Sequence, residues 1–205
     1  TLLVSRIATG RYGTSIHLML LAGIAVNVIT GAGLGMFSFM ANDSQLRTLT
    51  FWTMGSLSGA TWSTVLAVTP VILLVLVWLP ASAKSLNALL LGESEARHLG
   101  VNVNRVKKRV ILIAALGVGA SVAVSGMIGF VGLVVPHLVR MTLGPDHRYL
   151  LPASALLGGL FLVLADMAAR TLIAPAELPI GLITSIIGGP FFIALIVIRA
   201  RKGGI

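Results

Sequence analysis

The interval KSLNALLLGESEARHLGVNVNRVKKR, residues 84–109, decides the fold. It is the one long polar, charged interval in a chain otherwise almost wholly apolar. It holds six of the fifteen Lys and Arg residues and two of the six acids. Gly92 separates a Leu-rich piece, Leu86–Leu91, from a second short piece, Glu93–Leu99. The second piece opens with Glu93 and Glu95, carries Arg97 and His98 in its last turn, and stops at Gly100. Acids first, bases last and a glycine just beyond suit the dipole and the ending of a short helix. Asn104 is expected to cap the next helix, with Lys107, Lys108 and Arg109 at its mouth. The pattern predicts two short interfacial helices joined at a glycine, then a capped membrane helix. An ordinary polar loop between two spans would also fit it.

Outward from this interval the chain reads as membrane. It is 57% hydrophobic and 10% charged, against roughly 25% charged for a soluble domain. The net charge of +9 does not call for nucleic acid, because the basic residues flank apolar runs as positive-inside topology requires. With no Cys, disulfides, thiolate metal sites and cysteine nucleophiles are excluded. The opening TLLVSRIATGRYG is too interrupted for a signal peptide and reads as internal to a longer protein.

Span one is predicted over 15–40, within a stretch free of formal charge. Asn27, Thr30, Gly31, Gly33 and Gly35 cluster in its second half. They suit close helix packing through Gly31/Gly35, or a face bordering a polar pathway. Asn42–Gln45 is a polar turn, and Arg47–Trp62 reads as a re-entrant or surface helix. Span two is predicted over 63–80, with a kink at Pro70, and delivers the chain to a cytoplasmic region over 84–105. Residues 110–139 again lack charge, but Gly126, Gly129 and Gly132 followed by Pro136 favour a break. The expectation is span three over 110–125 and a short returning span four over 127–141.

Span five follows over 151–173, ending with Asp166 and Arg170 at pairing distance along a helix. A tight outer turn holds Glu177, and span six covers 180–198. The fold class is thus an all-α integral membrane protein, a polytopic helical bundle and a single domain of about six crossings, with both ends on the cytoplasmic side. Of fifteen basic residues only Arg47 and Arg170 then lie outside. No HExxH, phosphate-binding glycine loop or GxSxG is present. His137 and Arg140 share a helix face, where His137 reads as a packing residue rather than a metal ligand. No metal is expected.

Five groups of residues now carry a resemblance. They are Gly92-Glu93 with Ala96, Leu99 and Gly100; the block Gly126–Leu133 with Gly129 and Gly132, then Pro136-His137 and Arg140; Asp146-His147-Arg148 with Leu151-Pro152; Ala165-Asp166 with Ala169-Arg170; and Glu177-Leu178-Pro179-Ile180-Gly181 with Thr184, Gly188 and Pro190. In this order and spacing the chain resembles the permease subunits of ABC-type importers for iron chelates, haem and vitamin B12.

The resemblance implies ten transmembrane helices, of which this chain would hold the last six. It implies a paired permease, here read as a homodimer, with two ATP-binding subunits and a periplasmic solute-binding protein, in a bacterial inner membrane and its lipid. No cofactor would be bound by this chain; ATP and Mg would sit on the partner subunit. Gly92, Glu93, Ser94, Glu95, Ala96, Arg97, Leu99 and Gly100 would dock on the ATPase. Arg170, and less directly Arg47, would meet the binding protein, although Arg170 can equally pair with Asp166. Asn27, Thr30, Gly31, Gly35, Met54 and Ser56 would line the substrate pathway.

The function expected is therefore a transport subunit, not an enzyme, moving an iron chelate (siderophore or haem), or alternatively cobalamin. An ion-coupled secondary transporter is disfavoured, because the one membrane acid, Asp166, lies near the outer end beside Arg170. An intramembrane enzyme lacks a nucleophile or metal set, and a purely structural subunit would not need the charged short helices. His17 and Met19 read as packing rather than as haem contacts.

Overall fold

The computed structural model of the chain describes residues 9–10, 13–14, 16–173 and 178–203, with side chains from 21 to 173 and 178 to 198. Apart from a two-residue antiparallel pair, β1 (Thr9–Gly10) with β2 (Gly13–Thr14), the described chain is helical. The helices are α1 (Ile16–Met40), α2 (Asp43–Met54), α3 (Trp62–Ala81), α4 (Ala83–Leu90), α5 (Glu93–His98), α6 (Val103–Ser125), α7 (Val131–Leu143), α8 (His147–Leu172) and α9 (Ile180–Gly203).

Among the described residues five stretches are long and apolar enough to cross a membrane: Leu21–Met40, Trp62–Ala81, Val103–Ser125, His147–Leu172 and Ile180–Ile198. Their outer surfaces are apolar. Phe39, Leu66, Leu160 and Ile186 are among many large side chains exposed, and no residue of α3 is buried. Such surface is costly in water and ordinary against lipid tails. The expected fourth span is shorter than the rest: α7 has 13 residues, about 20 Å of helix against a core of about 30 Å. The break falls where the glycines predicted it. Residues 126–130 are non-helical, Gly126 takes φ +69° and Phe130 takes φ +65°. The Val131 amide donates to the Gly129 carbonyl at 2.8 Å, closing a tight turn over Phe130. Pro70, by contrast, stays within the continuous helix α3, and Pro136 lies inside α7.

Two local expectations are corrected. Asn104 is not the cap of α6: the helix starts at Val103, and the Asn102 carboxamide accepts the Arg105 amide at 3.1 Å. Asn102 lies three residues before the amide it caps, the geometry an N-cap requires. The supposed turn Asn42–Gln45 is the start of α2, which begins earlier and ends earlier than Arg47–Trp62. Asn42 Oδ1 accepts the Gln45 amide at 2.9 Å while Gln45 Oε1 accepts the Asn42 amide at 3.1 Å. This is a reciprocal capping box built with Asn and Gln.

The chain forms two compact units, Thr1–Thr50 with Val71–Gly119, and Phe51–Pro70 with Ala120–Ile205. In the first, Gly117 of α6 packs against the Val75 side chain of α3, and Ala83, Ala96, Val103 and Ile113 are buried. In the second, α8 packs on α7 and α9. One cluster is Ala165, Ala169, Ile180 and Ile183; another is Val135, Val139 and Leu150. The non-helical segments of this unit meet backbone to backbone. The Trp52 carbonyl accepts from Met127 at 3.3 Å, and the Ser56 amide donates to Ser125 at 2.9 Å. Gly181 of α9 enters the same place, where a Cβ would stand 1.9 Å from the Met54 carbonyl oxygen. Amides left by the broken helices thus find backbone partners, as a bilayer demands.

Candidate functional site

Helices α4 and α5 present the polar interval as two short rods, as its residues predicted. Gly92 joins them with φ 111° and ψ 156°, a region essentially reserved for glycine. The end of α5 is a complete Schellman motif. The Val101 amide donates to Ala96 at 3.0 Å and the Gly100 amide to Arg97 at 3.0 Å, with Gly100 at φ +80°. Six residues are too few to hold a helix by propensity. Here the two glycines set its ends, and Ala96, wholly buried, sets its inner face.

Glu93 has an internal role that local spacing does not reveal. Its carboxylate pairs with Lys107 of α6, fourteen residues on, and lies 3.7 Å from Arg97. Glu93 is therefore a positioning residue that ties α5 to α6. The outward face is Ser94, Glu95, Arg97 and His98, bordered by Leu99, Leu90 and Leu91, all exposed. The rod thus shows charged side chains ringed by three exposed leucines.

In α1, Asn27, Thr30, Gly31 and Gly35 are exposed, and no atom comes within 4 Å of where a Cβ would stand on Gly31 or Gly35. Gly23, Asn27, Gly31 and Gly35 recur every fourth residue and so share one face. Thr30 returns its hydroxyl to the Val26 carbonyl at 2.9 Å. At the α1–α2 corner a cavity of about 500 Å³ is lined by Phe37, Met40, Ser44, Gln45 and Thr48 among others. Arg47 lies exposed on α2.

In the second unit, Met54 ends α2 and Ser56 follows, half-buried, its hydroxyl 2.7 Å from that of Ser58. Arg170 Nε donates to Asp166 Oδ2 at 2.8 Å in the last turns of α8. The arginine remains half-exposed, so the pair does not bury it. Glu177 lies outside the described residues. Gly129, Gly132, Pro136, His137 and Arg140 form the break and helix α7, with His137 half-buried and Arg140 exposed. Pro179 and Gly181 are buried at the start of α9. Among the described residues no group of three or more His, Cys, Asp or Glu could hold a metal.

An all-helical polytopic chain with a charged helical elbow is the class defined so far. Comparison with known proteins makes it specific: the chain belongs to the FecCD transport family, which matches residues 1–198. It is 52% identical over 184 residues to the hemin transport system permease protein HmuU of Yersinia pestis, covering 90% of this chain and 55% of that protein. It is 47% identical over 179 residues to the vitamin B12 import system permease protein BtuC of Vibrio vulnificus, covering 87% and 54%. Among solved structures, the inward-facing conformation of a metal-chelate type ABC transporter matches with TM-score 0.84 and 35% identity, over 89% of this chain and 59% of that one. The chain spans about half the length of the curated relatives it matches.

Proposed function

We propose that this chain is part of an ABC importer permease, a transport subunit with no chemistry on its substrate. It works by alternating access with partner ATP-binding subunits, a solute-binding protein and a second permease, in a bacterial inner membrane with its C-terminus cytoplasmic. The observation that carries the reading is the α4–α5 elbow. Its geometry is set by two glycines, one buried alanine and the Glu93–Lys107 tie, while Glu95 and Leu99 are left facing outward. A short rod fixed to one span by its stem and to another by an ion pair can pass a rigid-body push to both. Arg170 is the proposed contact for an acidic group of the binding protein, reached without giving up Asp166. The exposed small-residue face of α1, with Met54 and Ser56, is the proposed pathway lining.

The substrate proposed is an iron chelate, siderophore or haem; cobalamin is the alternative, since relatives named for haem and for vitamin B12 are of comparable similarity. The test of the coupling role is co-purification of the ATP-binding subunit with the protein at its relatives' full length. Glu95→Arg with Leu99→Glu should lose the ATPase while leaving membrane insertion intact. Retention of the ATPase by that variant would refute the assignment. Uptake of haem against cobalamin in proteoliposomes then separates the two substrates.

A further inference from the structure

We infer that the cytoplasmic corner between α3 and α6 is a binding site for the phosphate headgroup of an anionic phospholipid. The corner holds a cavity of about 240 Å³ lined by Val77, Trp78, Ala81, Ser82 and Arg109. The Arg109 guanidinium sits over the Trp78 ring, 5.8 Å from its centroid, within cation–π range. Among the described residues Arg109 has no carboxylate partner, and it is exposed. A stacked guanidinium keeps its planar N–H donors for a two-point contact, which a phosphate diester fits. Arg105, one turn earlier on α6, and Lys84, two residues past Ser82, add positive potential to the same corner.

The walls select the source of the phosphate. Val77, Trp78 and Ala81 are apolar and lie on the last turns of a helix that reads as membrane-spanning. A soluble phosphate gains nothing from them, whereas a lipid lays its glycerol and first methylenes against them. Trp78 is half-exposed, and indoles favour this interfacial level. Basic pockets between helix ends on the cytoplasmic side are suited to anionic headgroups. The assignment is independent of the transport substrate and of the ATPase contact.

The experiment uses the full-length protein with every tryptophan but Trp78 replaced by Phe, reconstituted with brominated phosphatidylglycerol or brominated phosphatidylcholine. Quenching of Trp78 should report a preference for the anionic lipid of roughly fivefold or more, the worth of one basic side chain near a membrane surface. Arg109→Gln should reduce that preference to near unity, and Arg109→Lys should retain part of it. Lys108→Gln, which removes the same charge one residue away, should leave most of it. Equal quenching by both lipids, an equal loss in Lys108→Gln, or displacement by millimolar inorganic phosphate would overturn the proposal. So would a Trp78 that neither lipid quenches, which would mean that protein covers the corner.

Discussion

Gly92→Ala isolates the elbow between α4 and α5. Gly92 holds φ 111° and ψ 156°, and no atom lies within 4 Å of where its Cβ would be. The cost of the substitution is therefore conformational and not steric crowding. Holding an L-residue in this region costs roughly 1–3 kcal/mol. The chain can relieve that strain by rotating or fraying α5, which lowers the ratio of native elbow to its alternatives roughly 5- to 150-fold relative to wild type. Affinity for the ATP-binding subunit should fall by up to that factor, because the competent state is rarer. The spans do not depend on this torsion, so the apparent melting temperature of the membrane part should stay within a few degrees of wild type. Gly119→Ala, in the interior of α6 with nothing within 4 Å, is the matched control. The assay is titration of the ATPase onto the permease in nanodiscs, alongside thermal unfolding. Wild-type affinity in Gly92→Ala would refute the claim that this torsion positions the coupling helix.

Three further outcomes follow from named contacts. Gly181→Ala forces a methyl group against the Met54 carbonyl oxygen, which must retreat by about 1 Å; overpacking of this kind costs about 1–3 kcal/mol. Thermal unfolding should fall measurably, while Gly189→Ala, with open space around it, should be neutral or slightly stabilising. In a double-mutant cycle, Glu93→Gln and Lys107→Gln should couple by about 0.5–1 kcal/mol at low salt, since the pair is only partly buried; additive effects on ATPase binding would disconnect the tie from docking. Asn102→Ala should cost about 1 kcal/mol by uncapping α6, and Asn104→Ala much less, readable as a difference in hydrogen exchange at the amide of Arg105.

Much of this protein was legible along the chain because the bilayer imposes strong local rules. Charge-free runs of membrane length at 12–42 and 110–139 had to be helical, since hydrocarbon offers no partner to a bare amide. The break at Gly126–Gly129 and the short helix between Gly92 and Gly100 were likewise visible, because glycine marks positions where backbone torsions leave the helix. The first two of the five groups that carry the family resemblance, at Gly92–Gly100 and from Gly126 onward, centre on these same residues. Cap residues were harder. Asn102 and Asn104 are alike in composition, and only the observed helix start chooses between them.

Tertiary structure decided the rest. That Glu93 reaches Lys107, that Arg109 stacks on Trp78, and that Gly181 admits the Met54 carbonyl are meetings between separate helices. Periodicity states which residues share a face of one helix; it does not state which other helix that face meets. Glu93 is the clearest case. By its local pattern it is one more exposed acid at a helix start, beside Glu95. In three dimensions it is the anchor of the elbow while Glu95 stays exposed, because only the packing of α5 against α6 brings a lysine to one of them.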